Sequence, residues 1–221
     1  MTQAKVLTQE EVERVLCYLG KKQHAMRNQA MFLLTHGCGV RIKELVSIRI
    51  CDVLDRNGQI NAEVHLNRNQ TKGDRGRTVY LSEKMREVIK NYLCERFGLQ
   101  DLLAVTLTDT TRALFANQKN PNRGFSASTG CQMFHYWYKD CGIQHGSSHS
   151  GRRSFITNLA NKGVSIHVLK ELAGHRSIAV TEKYIARNPA VLHASVNMLC
   201  ACHLRLRCSM EMFISPESCD A

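Results

Sequence analysis

Apolar positions recur at helical spacing over most of this chain, and one central stretch replaces that rhythm with short alternating runs. Thr8-Gln9-Glu10-Glu11 has the form of a capping box, in which a hydroxyl and a carboxylate each satisfy an orphan backbone N–H. Val12, Val15, Leu16 and Leu19 follow as one apolar face, and Gly20 with Lys21-Lys22 closes the helix. A second helix is expected over about 27–35, with Met31, Phe32 and Leu34 inward, stopping at Gly37-Cys38-Gly39. A third begins near Arg41 and carries Ile42, Leu45 and Val46.

Between about 50 and 81 the texture changes. Ile50-Cys51-Asp52-Val53, Glu63-Val64-His65-Leu66 and Thr78-Val79-Tyr80-Leu81 read as strands, separated by turn chemistry at Asn57-Gly58 and Lys72-Gly73-Asp74. Ser82 then caps a helix reaching about Arg96, with Met85, Val88, Ile89 and Leu93 as its stripe. After an irregular stretch ending in the loop Asn120-Pro121-Asn122-Arg123-Gly124, a helix is expected over about 126–141, with Met133, Phe134 and Tyr136-Trp137-Tyr138. Shorter helices follow over about 149–161, 165–172 and 177–185, and Pro189 opens a last one through Val191, Leu192 and Val196. The expected class is mostly α with a small three-stranded antiparallel β-sheet.

With 221 residues and 43% hydrophobic content, the chain can bury a core. Thirty Lys and Arg against nineteen Asp and Glu leave a formal charge of +11, which points to a polyanionic partner, nucleic acid before membrane. No run approaches the roughly 20 apolar residues needed to span a bilayer, and Met1-Thr2-Gln3-Ala4-Lys5 lacks the apolar core of a secretory signal, so a cytoplasmic location is expected. The ten cysteines are scattered and are read as free thiols. Cys200, Cys202, His203 and Cys208 do not match the spacing of a common zinc site, and no metal is expected.

Three segments carry candidate chemistry. In Gly37-Cys38-Gly39-Val40-Arg41, the arginine starts a helix after a glycine turn, and Glu44, one helical turn on, can hold its guanidinium; alone, the pair reads first as a surface ion pair. In Thr71-Lys72-Gly73-Asp74-Arg75-Gly76-Arg77, Lys72 sits in a hairpin turn among like charges, which disfavour its own charge and suit it to giving up a proton; alone, the segment reads nearly as well as a solvated basic turn touching phosphates non-specifically. The third segment holds Ser148-His149-Ser150-Gly151-Arg152-Arg153, then Ala173-Gly174-His175-Arg176-Ser177, then Thr181-Glu182-Lys183-Tyr184. His149 and Arg152 are spaced to share a helix face.

Taken together, the set resembles the tyrosine recombinase, or phage integrase, family: Arg, a hairpin Lys, His-x-x-Arg, Gly-His and Tyr, present in order as Arg41, Lys72, His149, Arg152, His175 and Tyr184. The flanks agree: Gly-x-Arg-x-x-Glu-Leu around Arg41, Thr-Lys-Gly at Lys72 and Gly-His-x-Ser-x-x-x-Thr-x-x-Tyr from Gly174 to Tyr184. The likeness covers about residues 6–197. Two positions depart from it: Gly151 and Ala173 stand where leucine is common, and Gly151 adds backbone freedom of about 1 kcal/mol to its helix.

The resemblance implies the family's catalytic-domain fold and metal-free cutting of double-stranded DNA through a 3′-phosphotyrosyl intermediate. No ATP or other cofactor and no small-molecule substrate is implied. Arg41 and Arg152 would clamp the phosphate oxygens with two-pronged guanidinium forks, and His175 would add a hydrogen bond. Tyr184 would attack, His149 would accept its proton, and Lys72 would protonate the departing 5′-oxygen. Arg75, Arg77, Arg153 and Arg176 are the expected DNA contacts.

Residues 1–198 are expected to form the catalytic domain, and 199–221 a tail that is either disordered or an element lent to a neighbouring protomer on DNA. The family's N-terminal clamp domain is expected to be absent, because the first capping box already stands at Thr8. Topoisomerase-like relaxation, a non-catalytic DNA-binding regulator and a metal-dependent nuclease remain open at this point.

Overall fold

A computed structural model of the chain describes residues 3–71, 75–100, 102–120 and 122–185, together with Pro189, Leu192, His193, Val196 and Asn197. Its elements run α1 (Gln9–Gly20), α2 (Ala25–Gly37), α3 (Ile42–Ser47), α4 (Ile50–Val53), β1 (Glu63–Leu66), β2 (Arg77–Tyr80), α5 (Glu83–Phe97), α6 (Leu103–Thr106), α7 (Ala127–Asp140), α8 (Ser150–Asn161), α9 (Ile166–Ala173) and α10 (Ile178–Glu182). Two compact units divide the chain, Met1–Ile185 and Ala186–Ala221, so the boundary expected at 198/199 falls inside the second. Each element just named lies in the first. Lys72 and the tail from 198 onward lie outside the described residues.

Helix starts follow their caps. The Thr8 hydroxyl accepts from Glu11 N–H at 3.2 Å while the Glu11 carboxylate accepts from Thr8 N–H at 3.1 Å. Ser82, Ser126 and Ser165 cap α5, α7 and α9 through their hydroxyls. Central α2 buries Met31, Phe32 and Leu34 and packs against α1, α5 and α8. Leu19, Leu45, Ile89, Leu93, Phe115 and Phe134 complete the core around it.

The expected third strand is a helix. Ile50–Val53 forms α4 because the Asp52 carboxylate accepts the Arg49 N–H at 2.8 Å and closes a helical first turn. That turn buries Ile50 and Val53 on one side, where an extended run would have split them between two faces. Among the described residues the sheet is therefore two-stranded, with β1 antiparallel to β2 and Val64 opposite Val79.

Six cysteines are described as free thiols, but only Cys38 and Cys141 are buried as small hydrophobes; Cys17, Cys51 and Cys131 are exposed. No helix among the described residues is long and apolar enough to cross a membrane.

Candidate active site

Two glycines in the left-handed region shape the site. Gly39 (φ 62°) turns the chain from α2 into α3 and faces Phe155 so closely that a Cβ would stand 2.5 Å from its ring. Its carbonyl accepts from Arg152 Nη1 at 2.6 Å. Gly174 (φ 60°) ends α9 as its C-cap and lets the chain double back toward His175.

Arg152 projects from the first turn of α8 into the interior and is only 1% exposed. Its second outer nitrogen donates to the Ala173 carbonyl, and its Nε is buried without a hydrogen-bond partner. Burial first, then the positive charges of Arg41 and Arg77, press against its charged state, while Glu44 and Tyr184 favour it. Arg41 caps the start of α3. Its Nη1 donates to Glu44 Oε1 at 2.8 Å, its backbone N–H to Glu44 Oε2 at 2.9 Å, and its Nη2 to the Gly174 carbonyl at 3.4 Å. Glu44 thus holds the Arg41 guanidinium, one helical turn on from it. Glu44 itself is fully buried. Burial works to raise its pKa, but the Arg77 and Arg41 charges and the hydrogen bonds from both residues hold it below the usual carboxylate range.

His175 follows Gly174 and is 7% exposed, with Nδ1 3.0 Å from Thr181 Oγ1. Burial, then Arg152, Arg41 and Arg77, push its pKa down to about 3, so the imidazole is neutral at physiological pH. Its ring lies against that of Tyr184, with centroids 5.1 Å apart. Tyr184 is half-buried, and its backbone carbonyl accepts from the Thr157 hydroxyl at 2.7 Å, which ties the tyrosine segment to α8.

Four of the six residues expected to do chemistry, Arg41, Arg152, His175 and Tyr184, therefore come together from separate segments. His149 is exposed as the residue capping α8 and lies just outside the helix that carries Arg152. Lys72 is outside the described residues, but the chain on either side of it is tied down: Lys43 Nζ donates to the Thr71 carbonyl at 2.9 Å, and the Thr71 hydroxyl to the Arg75 carbonyl at 2.5 Å.

A cleft of about 370 Å³ opens beside Arg41 and His175, and Arg75 and Arg176, two of the expected DNA contacts, line it. Arg153 instead donates to the Gln3 side chain. Arg77 forms part of the buried floor, donating to Glu44 Oε2 at 2.7 Å and to the Leu172 carbonyl at 2.9 Å. The sequence signal for that difference was the strand pattern: Arg77 begins β2, where alternate side chains face inward. Among the described residues, no group of three or more His, Cys, Asp or Glu side chains is arranged to hold a metal.

Residues 5–190 match the model of the phage integrase family. The chain is 29% identical over 184 residues to the tyrosine recombinase XerA of Pyrococcus furiosus, spanning 83% of this chain and 57% of that protein. It is 31% identical over 184 residues to the tyrosine recombinase XerC of Myxococcus xanthus, spanning 83% of this chain and 58% of that protein. It therefore covers less than two thirds of these curated relatives. The crystal structure of XerA recombinase superposes with a TM-score of 0.68 at 24% identity, over 90% of this chain and 66% of that one. XerH, a site-specific recombinase solved on its palindromic difH substrate after cleavage, superposes with a TM-score of 0.66 at 22% identity, over 90% of this chain and 54% of that one.

Proposed function

Because this chain belongs to the phage integrase family, we propose that it is the strand-cutting part of a site-specific recombinase, one that breaks and rejoins double-stranded DNA through a covalent bond to Tyr184. The observation that carries the reading is the meeting of two guanidinium forks, a neutral imidazole and a phenol, drawn from four segments.

A scissile phosphate carries one negative charge, and its five-coordinate transition state carries more. Arg152 supplies fixed positive charge for it from a buried position, where such charge acts strongly, and Arg41 supplies it from the wall of the cleft. The carbonyls of Gly39, Ala173 and Gly174 hold both guanidinium groups in place, so little reorganisation is needed to meet a phosphate. If Nδ1 accepts from the Thr181 hydroxyl, the neutral imidazole carries its proton on Nε2 and can donate it to a non-bridging oxygen.

The Tyr184 oxygen attacks phosphorus, and the bond to the 5′-oxygen breaks. His149 takes the phenol proton, and Lys72 supplies the proton that the departing 5′-oxygen needs. Resealing reverses each transfer: a 5′-hydroxyl attacks, the tyrosine oxygen leaves, and its proton returns. The phosphotyrosyl bond conserves the energy of the broken linkage, so the cycle is balanced without an external energy source.

Residues 1–198 act in this reading as the catalytic domain, and 199–221 lie outside the described residues. The location that suits such a substrate is the cytoplasm. The names of the relatives favour strand exchange over supercoil relaxation.

Incubation with nicked duplex DNA, followed by a denaturing gel, tests the proposal. A covalent protein–DNA adduct is expected from the unmodified chain and none from Tyr184→Phe, which keeps its Thr157 contact because that bond uses the backbone carbonyl. An adduct that survives Tyr184→Phe, or none from the unmodified chain, would remove the reading.

A further inference from the structure

We infer that Arg77 is a positioning residue, which fixes Glu44 and through it the guanidinium of Arg41, so that the hairpin strand and the phosphate clamp are set as one unit. This rests on the function proposed above. Arg77 stands at the start of β2, its side chain 8% exposed, and uses both outer nitrogens inside the protein: Nη2 to Glu44 Oε2 at 2.7 Å and Nη1 to the Leu172 carbonyl at 2.9 Å. Its stem packs under Gly174, where an added Cβ would lie 2.5 Å from Arg77 Cδ.

Neutralising a buried carboxylate does not by itself require Arg77. Arg41 already meets Glu44 with a guanidinium bond to Oε1 and a backbone bond to Oε2. A carboxylate held by Arg41 alone, however, can swing with Arg41. The second arginine anchors Oε2 to a different element, the end of α9, and so turns Glu44 into a fixed reference against which Arg41 is aimed. Lysine could neutralise the charge but could not span both acceptors, because it lacks a rigid fork.

The same helix end receives all three arginines. The Leu172, Ala173 and Gly174 carbonyls, consecutive at the close of α9, accept from Arg77, Arg152 and Arg41 in turn. These are carbonyls that a helix end leaves without internal partners, at the negative end of its dipole. Arg41 and Arg77 are the two members of the row that also grip Glu44, and Arg77, coming from β2, links that strand to α3 and α9.

The test is a rate comparison on nicked duplex DNA among the unmodified chain, Arg77→Ala, Arg77→Lys, Arg41→Ala and the Arg41→Ala/Arg77→Ala double variant. Electrophoretic titration of DNA affinity at several salt concentrations accompanies it. Arg77→Ala should slow adduct formation on the order of 10- to 100-fold, as misaimed catalytic groups do, with affinity and salt slope unchanged. Arg77→Lys should recover only part of the rate, and the double variant should be no slower than Arg41→Ala, because Arg77 acts through Arg41.

Multiplying effects in the double variant, or a salt slope shallower by about 0.9 in Arg77→Ala, would mean that Arg77 touches a phosphate itself and would overturn the inference. A crystal structure of Arg77→Ala supplies an arm independent of activity, with Arg77→Lys taking its place if the alanine variant does not fold. Arg41 still bonded to both Glu44 Oε1 and the Gly174 carbonyl would refute the proposal, and a displaced Arg41 guanidinium would support it. If the unmodified chain forms no adduct, the proposed function fails while this structural arm still decides the role of Arg77.

Discussion

Gly151→Ala sets two physical effects against each other. In an exposed helix the change gains about 1 kcal/mol, because alanine restricts the unfolded chain and suits helical backbone. At this position the new Cβ would stand 2.5 Å from Thr35 Oγ1, 3.0 Å from Thr35 Cβ and 3.1 Å from the Thr35 carbonyl carbon. Thr35 is fully buried, and its hydroxyl donates to the Phe32 carbonyl at 2.8 Å, so it cannot swing aside without giving up that bond. The third contact is backbone of α2 and cannot move alone. Overpacking of this kind costs about 1–3 kcal/mol.

Because the closest contact is well inside van der Waals distance, we take the upper part of that range. The net loss is then about 1–2 kcal/mol, or roughly 2–8 °C in Tm for a chain of this size. Thermal and urea denaturation measure it directly. In a Thr35→Ala background the 2.5 Å contact disappears, so the same glycine substitution should cost about 1 kcal/mol less. Arg152 is the next residue, with its fork seated on the Gly39 carbonyl at 2.6 Å, so pushing α8 off α2 should also slow adduct formation. A higher Tm for Gly151→Ala than for the unmodified chain would refute the close approach and everything drawn from it.

Glu44→Ala should destabilise the chain by about 3–5 kcal/mol in denaturant titrations, because it leaves Arg41 and the buried Arg77 without their shared counter-charge. His175 makes stability depend on acid: its pKa falls from an ordinary 6.5 to about 3 on folding, so the unfolded chain takes up a proton that the folded chain refuses. Its contribution is fully present above about pH 6.5 and is lost as pH falls from there toward 3. A His175→Gln variant should show an acid slope smaller by about one proton in stability measured against pH, and an unchanged slope would contradict the burial assigned to this ring.

Much of the architecture was legible because it is written in local chemistry. The serine caps at 82, 126 and 165 and the Thr8 capping box place helix starts within a residue or so of where they occur. The strands at Glu63–Leu66 and Arg77–Tyr80 were readable from alternation, while the turn expected at Lys72-Gly73-Asp74 lies outside the described residues. The run at 50–53 was misread as a strand because its apolar ends also fit a strand, and the deciding contact, Asp52 onto the Arg49 N–H, is a cap whose backbone geometry no alternation reveals.

The site was legible as a set of residue types in order, less so as geometry. His149 was expected on the face of α8 that carries Arg152; it is the exposed N-cap of that helix, in right-handed helical backbone, with its carbonyl accepting from Arg153 N–H at 2.9 Å. Gly151 looked like loosened backbone and is a packing requirement, since only the fold brings Thr35 against it. Arg77 carries the same charge as Arg75 two positions before it, yet Arg77 begins β2 and lies in the floor while Arg75 precedes the strand and is exposed. Lys72 lies outside the described residues, and its chemistry stands as proposed.

The row of arginines on the last carbonyls of α9 has a bearing on how such proteins drift apart. A counter-charge made of peptide oxygens is indifferent to the side chains that carry it, so the alanine at 173 serves Arg152 as well as a leucine would. Substitutions can accumulate along that turn while its electrical character persists, provided position 174 stays free to adopt its left-handed bend. Part of what holds the three arginines is therefore shape, and leaves no letter in the sequence to be compared.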